Sequence, residues 1–86
     1  MWEIRYTSQA SKDISKLQST NLEVKAKELV ALIRDNPFNT PPPYEKLQGY
    51  NPPRYSRRIN RQHRLIYEVD IASKRIKVLR MWTHYE

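Results

Sequence analysis

Arg64-Leu65-Ile66-Tyr67-Glu68-Val69-Asp70-Ile71, then Ala72-Ser73-Lys74, then Arg75-Ile76-Lys77-Val78-Leu79-Arg80-Met81-Trp82-Thr83, is the stretch that decides the fold. In the first run Leu65, Tyr67, Val69 and Ile71 fall on every second position. In the last run Ile76, Val78, Arg80 and Trp82 share one face, with Leu79 and Met81 on the other. A period of two is the signature of a strand with one face on a core. Three short turn-forming residues between two such runs predict a tight antiparallel hairpin. Upstream, residues 54–61 place Tyr55 and Ile59 on one face and add a third strand to the same meander.

The N-terminal half changes period. Trp2, Ile4 and Tyr6 alternate with polar residues and predict one more strand. Thr7 or Ser8 then caps a helix whose apolar stripe is Ala10, Ile14 and Leu17, running to about Ser19. Thr20-Asn21-Leu22-Glu23 has the spacing of a capping box. It opens a second helix with Leu22, Ala26, Leu29, Val30 and Ile33 on one face, stopped by Pro37 at or before Asn36. The short connection makes the two an αα-hairpin. The predicted order is β-α-α-β-β-β, an α+β domain with an antiparallel sheet and a helical hairpin packed on it. Between helices and meander, residues 37–53 hold all six prolines and the one glycine, Gly49. Proline restricts the backbone, so this long segment is expected to be extended and semi-rigid, with Tyr44 and Tyr50 as base-stacking candidates.

With 86 residues the chain fits one domain, residues 1–86, with a thin core. Absence of cysteine excludes disulfides, cysteine-ligated zinc and thiol catalysis. Neither an apolar leader core near Met1 nor a run of about 18 apolar residues is present, so a cytoplasmic protein that makes no membrane contact is expected. Sixteen Lys and Arg against nine Asp and Glu give a net charge of +7, which points to a polyanionic partner.

That charge is patterned. No acidic residue lies between Glu45 and Glu68, while Lys46, Arg54, Arg57, Arg58, Arg61 and Arg64 do. The planar guanidinium fork matches paired phosphate oxygens, so arginine in place of lysine favours phosphate recognition. Alternation puts Arg54, Ser56 and Arg58 on one strand face and Arg57, Ile59 and Arg61 on the other. The two histidines, His63 and His84, flank the basic strands. RNA is cut without metal when a base takes the 2′-hydroxyl proton, an acid protonates the leaving 5′-oxygen, and cations stabilise the phosphorane. Carboxylate, imidazole and arginine are all present, and carboxylates with the spacing of a two-metal site are not, so no cofactor or metal is expected. On these grounds a non-catalytic RNA-binding module ranks equally with a nuclease.

Tyr55-Ser56-Arg57-Arg58-Ile59, His63-Arg64-Leu65-Ile66-Tyr67 and the terminal His84-Tyr85 resemble the Txe/YoeB toxins of the RelE/ParE superfamily, as do Asn36-Pro37-Phe38 and Glu45-Lys46-Leu47 upstream. The resemblance implies a RelE-like fold and a ribosome-dependent endoribonuclease that cleaves mRNA and inhibits translation. It implies Glu45 as general base, His84 as general acid, Arg64 as the transition-state cation and Tyr85 as a supporting residue. Lys46, Arg54, Arg57, Arg58, Arg61 and His63 would then contact RNA. The implied partners are mRNA, the ribosome, a cognate antitoxin with an acidic YefM/Phd-like segment, and a second copy in a homodimer. The chain departs from the family in two places: Gln48 stands where a lysine is expected, so Lys46 substitutes or that contact is missing, and Glu86 follows the terminal tyrosine. A ParE-like gyrase inhibitor on the same fold is the alternative within the superfamily.

Overall fold

The computed structural model describes residues 2–82. Seven elements follow one another: β1 (Glu3–Tyr6), α1 (Ser8–Leu17), α2 (Glu23–Asp35), β2 (Glu45–Leu47), β3 (Arg54–Arg58), β4 (Arg64–Asp70) and β5 (Arg75–Arg80). They form one five-stranded sheet in the order β1-β5-β4-β3-β2. The β3-β4 and β4-β5 pairs are antiparallel, as the alternation predicts, and β2-β3 is antiparallel too. The β1-β5 pair is parallel, with Ile4 opposite Ile76, so the sheet is mixed and the expectation of a purely antiparallel one is corrected. Side-chain period says which face a strand buries and is blind to the direction of its neighbour. Here the helical hairpin carries the chain away from β1, and β1 pairs with the last strand.

Thr7 caps α1 as predicted, its Oγ1 accepting from Ala10 N at 3.1 Å. The same hydroxyl donates to Leu79 O at 3.1 Å, tying the helix start to β5. The capping box at α2 does not form. Thr20 Oγ1 instead donates to Leu17 O at 2.9 Å and accepts from Leu22 N at 3.1 Å, which closes the turn between the helices. Such local bonds compete with a cap for the same hydroxyl.

Leu17, Leu29 and Ile33 from the helices meet Leu65, Tyr67, Val69, Ile76 and Val78 from the sheet in one core. Each such aliphatic side chain contributes about 1.5–3 kcal/mol by leaving water. A bulge shifts the register at the end of β5: Tyr67 lies opposite Val78, but Ile66 lies opposite Arg80. The extra residue, Leu79, breaks the alternation, so Met81 is buried and not on the outer face that a strict period of two gives it. The proline segment is also not wholly a loop. Its Glu45–Leu47 forms β2, whose edge pairing ends before Gly49 turns the chain at φ +88°.

Candidate functional site

Because the helices cover one face of the sheet, the polar positions of β2, β3 and β4 share the other. The register sets Glu45 opposite Ser56, and Arg58 opposite Arg64. Those four line a hollow of about 400 Å³ together with Pro42, Pro43 and Tyr44. Arg64 Nη1 lies 3.5 Å from Glu45 Oε2 and donates to Ser56 Oγ at 3.2 Å. The Glu45 side chain is 69% exposed and Arg64 only 23%, so an open carboxylate stands beside a guanidinium held from below. Ser56 is almost completely buried and receives Arg64 on a lone pair, leaving its own O–H to donate. The hollow therefore offers a proton acceptor, two guanidinium groups and a hydroxyl to one anion.

Arg64 follows directly from a rigid turn. Asn60 Oδ1 accepts from the backbone N–H groups of Gln62 and His63 at 2.8 and 2.7 Å, and Ile59 N donates to His63 O at 2.9 Å. His63 stacks on Trp82 with ring centroids 3.9 Å apart, which joins this turn to the end of β5. At 7% exposure, His63 is a packing residue here and not the accessible RNA contact expected of it.

Arg57 is the second correction. It is fully buried, so its guanidinium is not available for the RNA contact expected of it. Nε donates to Tyr67 Oη at 2.9 Å, Nη1 to Pro42 O at 2.7 Å and Nη2 to Pro37 O at 2.9 Å. Tyr67 Oη in turn donates to Pro37 O at 2.8 Å. Burial pushes the Tyr67 phenol above its ordinary value, against the smaller opposing effect of Arg57, so the donor keeps its proton. Phe38 and Tyr44 pack on Tyr55 at centroid distances of 5.4 and 5.5 Å. Tyr44 is thus packed on the aromatic cluster on one side while it lines the hollow on the other.

The other basic residues disperse. Lys46 is opposite Tyr55 and so projects from the sheet face away from Glu45. Arg54 sits 3.6 Å from Glu68 and lies over the Tyr50 ring at 4.3 Å. Arg61 is exposed in the β3-β4 turn. His84 and Tyr85 lie outside the described residues.

One buried group escaped the sequence reading. Asp13 is fully buried on α1, and its carboxylate accepts from Arg80 Nε, Met81 N and Trp82 N at 2.9, 2.9 and 3.2 Å and from Gln9 Nε2 at 3.2 Å. Burial alone would raise its pKa. The hydrogen bonds from Met81, Arg80, Gln9 and Trp82 outweigh burial and hold it below the usual carboxylate range. The available signal was its place within the Ala10–Ile14–Leu17 stripe, where an acid has to find internal donors.

This sheet, its helical hairpin and the arginine-lined hollow define a small RelE-type toxin. Residues 6–85 match the family described as the YoeB-like toxin of bacterial type II toxin-antitoxin systems, and the chain belongs to that family. The YoeB/ParE toxin from Agrobacterium tumefaciens superposes with a TM-score of 0.84 at 27% identity, covering 96% of this chain and 99% of that one. The YoeB dimer from Staphylococcus aureus gives 0.81 at 33% identity, covering 98% of each chain. The toxin of the YoeB-YefM complex from the same organism gives 0.76 at 35% identity, covering 99% of each. No curated protein matches the sequence. Among the described residues no helix is long and apolar enough to cross a membrane.

Proposed function

We propose that the protein is a ribosome-dependent endoribonuclease that cleaves mRNA by attack of the 2′-hydroxyl on the adjacent phosphorus. The observation that carries this reading is the Glu45 carboxylate 3.5 Å from the Arg64 guanidinium in an open hollow of about 400 Å³, roomy enough for a phosphate with its flanking sugars. Glu45 takes the 2′-hydroxyl proton as the 2′-oxygen bonds to phosphorus. Arg64, with Arg58 beside it, neutralises the phosphorane oxygens. The bond to the 5′-oxygen breaks, and His84, assigned from the terminal His84-Tyr85 pair, supplies the proton to that oxygen. Tyr85 supports it. The products are a 2′,3′-cyclic phosphate and a 5′-hydroxyl, so the proton count closes without a metal.

The YefM-bound relative extends the proposal to a cognate antitoxin, and the +7 charge favours an acidic segment on it. The dimeric relative extends it to self-association, which sedimentation velocity measures.

Primer extension on mRNA from cells expressing the protein tests the activity. Glu45→Ala and His84→Gln are each expected to lower cleavage by about 100-fold or more while thermal unfolding stays that of the parent. Wild-type cleavage patterns from both variants would remove the site assignment. Uncut mRNA with accumulating double-strand DNA breaks would replace it with gyrase inhibition.

A further inference from the structure

We infer that Arg57 is the positioning residue for Glu45: from inside the protein it fixes the segment that delivers the carboxylate to the hollow. The inference rests on the reading of Glu45 as general base. Glu45 begins a three-residue edge strand, so β2 pairing alone is a weak anchor. Upstream, residues 36–44 form no helix or strand; Asn36 N and Asn39 Nδ2 donate to Leu32 O at 3.1 and 3.2 Å, which ties the start of the segment to α2 and leaves the rest to be held otherwise. Arg57 supplies that hold at two separated points, Pro37 O and Pro42 O, and its guanidinium lies 5.1 Å from the centroid of the Tyr44 ring. Tyr44 is the residue next to Glu45.

The charge makes the coupling strong. Among the described residues no carboxylate pairs with Arg57, so its buried cation is compensated by the loop carbonyls, the Tyr67 hydroxyl and the Tyr44 and Tyr67 rings. A buried cation without such acceptors is costly, so the loop cannot swing away while Arg57 stays dry. Arg57 and Ser56 are neighbours on β3 and point to opposite faces. One side therefore grips the loop that carries Glu45, and the other holds Arg64, so base and cation are referenced to the same two residues of one strand. Lysine cannot reproduce the grip, because an ammonium lacks the planar fork that spans two carbonyls.

The test is a double-mutant cycle on ribosome-bound mRNA, measured as the single-turnover cleavage rate at saturating toxin. Arg57→Lys is expected to lower that rate about 10- to 100-fold, the scale of an ångström-level misplacement, with little change in the half-saturating concentration. In a Glu45→Ala background the same substitution is expected to have no further effect, because the base it positions is gone. Tyr67→Phe removes one acceptor of Arg57 and one donor to Pro37 while keeping the ring, and is expected to be non-additive with Glu45→Ala in the same way. It carries the test if Arg57→Lys does not fold. If the losses multiply in both cycles, Arg57 acts on the fold generally and the inference is overturned, with Glu45 still the base. If Glu45→Ala cleaves at the parent rate, the reading of Glu45 fails and this inference falls with it.

Discussion

Asp13 Oδ2 accepts the backbone N–H of Met81 at 2.9 Å, across 68 residues of chain, and so pins the end of β5 to the middle of α1. The same oxygen takes Trp82 N at 3.2 Å and Arg80 Nε at 2.9 Å. Replacing Asp13 by Ala leaves the Met81 and Trp82 amides unsatisfied and opens space in a closed core. A loss of about 3 kcal/mol is expected, read from urea denaturation midpoints at constant m.

The same carboxylate sets an acid limit. Its pKa is lowered in the folded state, so between that value and the unfolded value near 3.9 the unfolded chain binds more protons. The stabilisation is therefore complete above the unfolded value and disappears as pH falls through the folded one. Glu3, held low first by Arg5, titrates in the same direction, but it lies exposed at the surface and its effect is screened. Unfolding free energy measured from pH 6 down to pH 2 is expected to drop in this window, and Asp13→Asn is expected to flatten most of the drop. An unchanged slope in Asp13→Asn would assign the acid sensitivity to other carboxylates.

Strand alternation was enough to place β3, β4, the Ala72–Lys74 turn and the inward row Leu65, Tyr67 and Val69. It could not give the direction of β1, because Ile4 opposite Ile76 satisfies either orientation. Nor could it show the bulge at Leu79, since one inserted residue has no compositional mark. In the site, Glu45 and Arg64 were reached through family resemblance, and the register then brought them together. The burial of Arg57 and His63 runs against expectation because a charged or titratable residue in a basic run reads as exposed. Only the three carbonyl and hydroxyl acceptors around Arg57, and Trp82 over His63, reverse that. Ser56 reads in the sequence only as a face marker, since nothing local indicates that its hydroxyl meets a guanidinium eight residues away.

Glu68 restrains the basic face. It lies 3.6 Å from Arg54 and 3.9 Å from Lys77, and its side chain is only 16% exposed. Glu68→Gln releases both cations and raises the net charge by one from +7. If this face meets RNA, binding tightens, and the slope of log affinity against log salt steepens by about 0.7–1 for each additional phosphate neutralised. Filter binding of single-stranded RNA across a salt series measures it. An unchanged slope would place Arg54 and Lys77 off the RNA path.

Ser56→Ala separates positioning of the cation from stability. Ser56 Oγ is the hydrogen-bond acceptor for Arg64 Nη1, and the side chain lies beneath the hollow at 2% exposure. Alanine keeps the strand packing, and the released Arg64 guanidinium still reaches water and Glu45, so unfolding free energy is expected to change by less than about 1 kcal/mol. In the proposed reaction Arg64 is then free to rotate away from the phosphate, and the hydroxyl donor is lost. A charge-assisted hydrogen bond made only in the productive geometry is worth about 1.5 kcal/mol, which corresponds to roughly a tenfold fall in the cleavage rate constant. Half-saturation by ribosome-bound mRNA is expected to stay unchanged, because Arg58 and the surrounding charge still attract the polymer. Single-turnover cleavage of the folded variant reads this directly: a loss in half-saturation with an intact rate constant would make Ser56 part of the binding surface and leave Arg64 positioned by Glu45 alone.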